Sequence, residues 1–275
     1  MRAVSAAVCF APMAPDTTSE LSAWIEARSA RADAVEQGAD VRLEVIPRSH
    51  FTPALFDALY ALATSMSAEE RANFENHAWT NDSVHLFRVT ASGALAGFQF
   101  WCCRAAQPGS RPVILGGKLR VLPEHRRRAL HLRSALTYYS HVLRTQPGER
   151  FERISLASLF GFVAIARALH DYRFLAEDVL PHDERWLCDV VQGLAADSGY
   201  RYERASGVVH VNIRPTAAQL ASYPPDFFET ALARAYRARN PEFRSNGCYL
   251  AFGFPLSLQN LQSIDAAIAR KLERG

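Results

Sequence analysis

Between Val121 and Leu132 three consecutive arginines, Arg126, Arg127 and Arg128, stand between an apolar strand-like run and an apolar helical one. A helix that begins straight after a strand presents unpaired N–H groups and the positive end of its dipole. Such an end holds phosphate, and arginine side chains beside it add charge-assisted bonds. The stretch therefore points to anion recognition, against the plainer reading of a solvated helix start. Upstream, Lys118 and Arg120 alternate with Leu119 along the strand. Facing a cleft, they would favour an acceptor that carries a carboxylate. Downstream, His170 can serve as a general base near neutral pH, against the plainer reading of a surface histidine. Glu124 reads as a helix-capping residue. No Ser-His-Asp spacing and no Gly-x-Ser-x-Gly elbow points to a hydrolase.

The elements that must position these groups are legible from periodicity. Val41–Pro47 alternates in the strand period, and Pro53 opens a helix with Thr52 as its N-cap and Leu55, Leu59 and Leu62 on its apolar face. Ser67 and Glu70 have capping-box spacing before a second helix. Two strand-like runs flank Ala91-Ser92-Gly93 as a hairpin. Residues 113–121 form a third strand, and Gly116 and Gly117 suggest a bulge within it. The helix after the arginines carries the stripe Leu132, Leu136, Tyr139 and Leu143. Residues 151–160 read as a strand and 161–170 as a short helix. Further on come a hairpin around Ser206-Gly207, one amphipathic helix over 226–239, a strand at 248–254 and a closing helix at 258–273. The part between Ala176 and Gly199 has no clear pattern.

With 275 residues, 49% of them hydrophobic, the chain can bury a large core without disulfides. A net charge of +3 is too weak to point to nucleic acid. The five cysteines include no C-x-x-C pair, so no zinc site or other metal is implied. No run approaches the roughly 20 apolar residues of a membrane helix, and the opening is a poor signal peptide. The reading is a soluble, cytoplasmic protein with an N-terminal extension over 1–40 and one domain over 41–275.

The pattern V-x-P-x-x-R-R/G-x-G-L/I-G/A, here Val121, Pro123, Arg126, Arg127, Ala129, Leu130 and His131, resembles the acyl-CoA-binding motif of the GCN5-related N-acetyltransferase fold. The order of elements around it is similar too, over roughly Val41–Leu175. The resemblance implies an α/β fold: a mixed, mostly antiparallel sheet flanked by helices, with a central strand pair (113–121 and 151–160) splayed apart. It implies that backbone N–H groups over Arg126–His131, with Arg128 among them, hold the phosphates of the donor. Backbone at Leu119, Arg120 and Val121 would face the pantetheine arm and polarise the thioester carbonyl, and Tyr172 would be the acid. The implied reaction moves an acyl group from acyl-CoA, or from the phosphopantetheine of an acyl carrier protein, to a primary amine of a small molecule. A catalytically silent module that binds a thioester or docks a protein is the rival; a homodimer is compatible with either. Ala129 and His131 depart from the glycine and the glycine or alanine of the motif. Alanine is a mild change if its φ is negative, whereas His131 would either crowd a pyrophosphate or donate to a single phosphate.

Overall fold

Side-chain alternation about the pleat decides how this chain layers. The computed structural model describes residues 18–37, 39–66, 70–105, 111–126 and 128–273. Among these, nine strands form one mixed sheet: β1 (Val41–Pro47), β2 (Ser83–Val89), β3 (Leu95–Ala105), β4 (Pro112–Val121), β5 (Glu152–Ala157), β6 (Arg173–Phe174), β7 (Arg201–Glu203), β8 (Val208–His210) and β9 (Cys248–Pro255). Their order is β1-β2-β3-β4-β5-β9-β8-β7, with β6 paired to β9. Every pairing is antiparallel except β4 with β5.

One face of the sheet is covered by α2 (Pro53–Met66) and α3 (Arg71–Thr80), which seal Phe98 and Phe100, and further along by α6 (Trp186–Asp197) over Ile154 and Ala251. The other face carries Trp101, Ile114, Phe252 and Phe254. It packs against α1 (Thr18–Gln37), α4 (Leu130–Thr145), α5 (Leu159–Ala166), α8 (Ala231–Arg239) and α9 (Leu258–Leu272). A short helix, α7 (Ala217–Ala221), lies before α8. Burial on both faces explains why β3 is a nearly continuous apolar run. In α4 the predicted stripe of Leu132, Leu136, Tyr139 and Leu143 is buried throughout. The helix α1 joins the same core through Ile25, and Arg28 pairs with Asp265 of α9 at 3.3 Å.

Several boundaries differ from the sequence reading, each for a local reason. The buried stripe of α2 is Phe56, Leu59 and Ala63, with Leu55 and Leu62 on its flank, because Phe56 turns edge-on to Phe74. Thr52 does accept from the Leu55 N–H. Glu70 occupies the N-cap position of α3 and makes no side-chain cap, so it is not the far half of a capping box; Ser67 lies outside the described residues. Strand β5 stops at Ala157 because Ser158 turns and accepts from the Gly161 N–H, which gives Leu159 and Phe160 to α5. The single helix expected over 226–239 is two pieces. Thr230 takes extended backbone and caps α8 through the Ala233 N–H, ending a 3-10 turn over Pro225–Glu229. The unpatterned part holds α6, whose buried residues Leu187, Val191 and Ala195 follow the helical period.

Candidate active site at the splay of two parallel strands

The parallel pair begins normally and then opens. Val113, Ile114 and Leu115 of β4 pair with Glu152, Arg153 and Ile154 of β5, and there the ladder ends, although both strands continue. A bulge in β4 bends it away. The register with β3 runs Phe98↔Arg120 and then Phe100↔Gly117, so Gln99 alone faces both Lys118 and Leu119. Lys118 takes left-handed backbone at φ 50°. The bulge thus falls just after the glycine pair expected to make it. Gly116 serves a different need: a Cβ there would lie 2.7 Å from the Trp101 ring. Where the ladder stops, the buried Arg153 takes over. Its Nη1 donates to the Ile114 carbonyl and its Nη2 to the Gly116 carbonyl, both at 3.2 Å, with the guanidinium 5.2 Å from the Trp101 ring centroid.

A cleft of about 410 Å³, counting space open to solvent, fills the splay on the α4 face. Its polar lining is Gln99, His131, Tyr139, Arg153 and Ser155, and Leu119 lies at its edge. Two buried polar atoms in it, Gln99 Oε1 and His131 Nε2, have no hydrogen-bond partner among the described residues. Burial and the nearby Lys271 ammonium push His131 down to about 4, against the pull of the Ala164 carbonyl, so the imidazole is neutral at pH 7. The Tyr139 hydroxyl is pushed up by burial, while Arg153, to which it bonds, opposes the shift.

At the mouth of the cleft lies the arginine loop. A 3-10 turn over Pro123–His125 leads to Ala129, which takes left-handed backbone at φ 55° and makes no side-chain cap. The condition under which alanine would be a mild change is therefore not met; this is a position that favours glycine. Glu124 sits in the turn and does not cap α4. Leu130 and His131 open α4, and their N–H groups are first-turn donors that no helical carbonyl reaches. Arg126 folds back, its Nε donating to the Val121 carbonyl at 3.2 Å, and Arg120 Nη1 donates to the Leu119 carbonyl at 3.1 Å. Arg128 pairs with Asp40 at 2.6 Å. Arg127 lies outside the described residues.

A bulged strand, a parallel neighbour that splays from it, and a helix opening at the mouth of the gap decide the architecture. It is the mixed, mostly antiparallel sheet with a splayed parallel pair that the resemblance to the GCN5-related N-acetyltransferase fold implies. No family model matches the chain, and no curated protein matches it in sequence. Solved structures similar to it include ElaA of Escherichia coli, at 12% identity and TM-score 0.37 over 50% of this chain and 90% of that one. The ribosomal-protein-S18-alanine N-acetyltransferase of Escherichia coli is similar at 9% identity and TM-score 0.38, over 78% and 95% of the two chains. A GCN5-related N-acetyltransferase of Brucella melitensis is similar at 21% identity and TM-score 0.34, over 50% and 66%.

Within this fold the expected site residues separate into two groups. Leu119 and His131 line the cleft, and Arg120, Val121, Arg126, Ala129 and Leu130 lie in the strand end, turn and helix start next to them in the chain. Tyr172 and His170 do not join them. The Tyr172 ring stands edge-on to Phe162 at 5.3 Å and to Phe174 at 5.9 Å, and the exposed His170 has its backbone N–H held by Asn260 Oδ1 at 2.9 Å. Tyr139, Gln99 and Arg153 are the polar lining that sequence reasoning missed. Tyr139 sat inside an apolar helical stripe, which disguised its hydroxyl. Gln99 was legible as the one amide within the apolar run of β3.

Proposed function

We propose that this protein is an N-acyltransferase that moves an acyl group from a pantetheine thioester to a primary amine on a small molecule. The observation that carries the reading is the pair of buried acceptors, Gln99 Oε1 and His131 Nε2, left without partners in the splay. A buried polar atom without a partner costs about 1–3 kcal/mol. With the Ala164 carbonyl taking the other ring nitrogen's proton, both are acceptors, and an arm carrying amide N–H groups suits them. The residues present therefore fit such a donor.

In this reading the first-turn N–H groups of Leu130 and His131, with Arg126, Arg127 and Arg128, hold the phosphate end, and the backbone from Ala129 follows it. A coenzyme A donor and a carrier-bound one share that phosphate-pantetheine chemistry. When bound, the thioester supplies an activated acyl carbonyl. The backbone of Leu119, Arg120 and Val121 beside the bulge orients that carbonyl and offers N–H groups to its oxygen. Tyr139 holds a proton at Oη for the departing sulfur, in the role first expected of Tyr172. Arg153 keeps that hydroxyl in place and its acidity from falling further. Apolar walls from Leu132, Ile165 and Phe254 exclude water. A second reading, a module that binds the thioester without turning it over, is favoured by the position of Tyr172 and His170 outside the cleft.

Titration calorimetry with coenzyme A and acetyl-CoA tests the proposal. Micromolar binding that weakens at least tenfold in Arg126→Ala, followed by acetyl transfer in an amine screen, supports it; Tyr139→Phe then lowers kcat more than KM. Binding without any turnover selects the second reading. No binding of either compound, nor of a carrier-bound acyl group, overturns both.

A further inference from the structure

We propose that Cys248, His210 and Glu203 form a second acyl-transfer centre, in which the Cys248 thiol accepts an acyl group from an ester or thioester. This does not rest on the function proposed for the splay. Strands β8 and β9 set His210 directly opposite Cys248, so their side chains share a face. Cys248 Sγ lies 3.3 Å from His210 Nδ1, and His210 Nε2 lies 2.7 Å from Glu203 Oε1. Nucleophile, base and orienting carboxylate thus stand in sequence, each within hydrogen-bond reach of the next. The Glu203 carboxyl is further held by Ser206 Oγ at 3.2 Å and by Arg201 Nη2 at 3.2 Å. Arg201 Nη2 also lies 2.7 Å from His210 Nε2. In the tautomer whose Nε2–H is given to Glu203, Arg201 donates to the Glu203 carboxylate and not to Nε2, and the Nδ1 lone pair faces the sulfur.

Three further observations make this more than a buried cysteine. First, Cys248 lines a cavity of about 320 Å³, counting open space, that is separate from the splay and shared with Ser158, Leu159, Phe160, Arg214 and Tyr236. Second, Leu159 and Phe160, which line the same cavity, are the first residues of α5, where N–H groups have no helical carbonyl to take them. Third, among the described cysteines Cys248 alone has a histidine within hydrogen-bond distance. Burial and Glu203 push its thiol up, so the sulfur rests protonated and needs a base. Bonds to His210, Ser206 and Arg201 hold the Glu203 carboxyl down, so it stays ionised.

The step balances without any oxidant or reductant. As the Sγ–C bond forms, the thiol proton passes to His210 Nδ1 and the carbonyl electrons move to oxygen, facing the Leu159 and Phe160 N–H groups. Collapse breaks the bond to the leaving oxygen or sulfur, which departs with the proton from His210. An acyl–X compound and Cys248 become S-acyl-Cys248 and HX.

The test uses the full chain and p-nitrophenyl acetate. The expected result is a stoichiometric burst of nitrophenolate, with one hydroxylamine-labile acetyl group found by peptide mass spectrometry on Cys248. His210→Gln slows the burst by roughly 100-fold or more and Glu203→Gln by about tenfold. Acetylation of Cys248 no faster than of Cys103, or a burst rate unchanged in His210→Gln, overturns the proposal. The comparison of cysteines within the unmodified protein decides the matter if a variant fails to fold.

Discussion

Strand β5 has two neighbours and meets them differently. Against β9 it pairs along its whole length, from Glu152↔Pro255 to Ala157↔Leu250; against β4 it pairs through three residues. The sequence of β5 is the same on both sides, so the gap comes from the partner. β4 carries a bulge and two glycines, and its carbonyls at Gly116, Leu119 and Val121 take arginine donors in place of strand N–H groups. A sheet can therefore open a cleft in its middle without leaving its backbone polar groups stranded. On the closed side, by contrast, the apolar Ala251, Phe252 and Phe254 of β9 are fully buried.

The comparison is broken most forcefully at Arg153. Arg153→Met removes both donors from the Ile114 and Gly116 carbonyls, and bonds from a charged donor contribute about 1.5–3 kcal/mol each. A loss of roughly 3–5 kcal/mol in urea unfolding is expected, together with loss of coenzyme A binding. Unchanged stability would mean that the bulge alone holds the strands apart.

Acidification acts next. His131 titrates near 4 in the fold, and His85, desolvated beside Ser134, near 3, against 6.5 in the unfolded chain. Between those values the unfolded chain binds protons that the fold does not, so stability falls as the pH drops below about 6.5. The urea midpoint should be lower at about pH 5 than at about pH 7, and His131→Gln should shrink that difference. An equal difference in the variant would place His131 in a wetter setting than the cleft.

Two smaller effects sharpen the contrast between structure and binding. Gln99→Leu removes an acceptor that the fold leaves unpaired, so stability should hold or rise while coenzyme A affinity weakens about tenfold, near 1.4 kcal/mol. A parallel loss of stability would show that Gln99 serves the fold. Ala129→Gly relieves a left-handed alanine and should stabilise by about 1 kcal/mol in thermal or urea unfolding. No gain would mean that the added freedom of the unfolded chain cancels the relief.

How much of this could be read from the sequence differs by element. The strands β1 to β4 and the stripe of α4 follow from period alone, because one face of each is apolar or the run is apolar throughout. The arginine loop was legible because proline and charge punctuate it. Helix α6 was hidden by its start, since Arg185 at its N-cap makes no side-chain bond and Gly193 interrupts its period. Arg153 was illegible for another reason. In a strand of mixed residues it reads as solvent-facing, and only the bulge in a distant strand turns it into a buried donor. The pairing of His210 with Cys248 depends on register between segments nearly forty residues apart, which local pattern does not encode.

The Val121 carbonyl, which accepts the Arg126 Nε–H, is a tethered rival of whatever anion reaches that guanidinium at the mouth of the cleft. Its effective concentration at the arginine is set by five residues of chain, and diffusion does not dilute it. An anion that takes the Nε–H must exchange with this internal partner, so that contact counts only in the fraction of molecules in which Nε has let go. The loop thereby links one anion contact to the breaking of a single internal hydrogen bond.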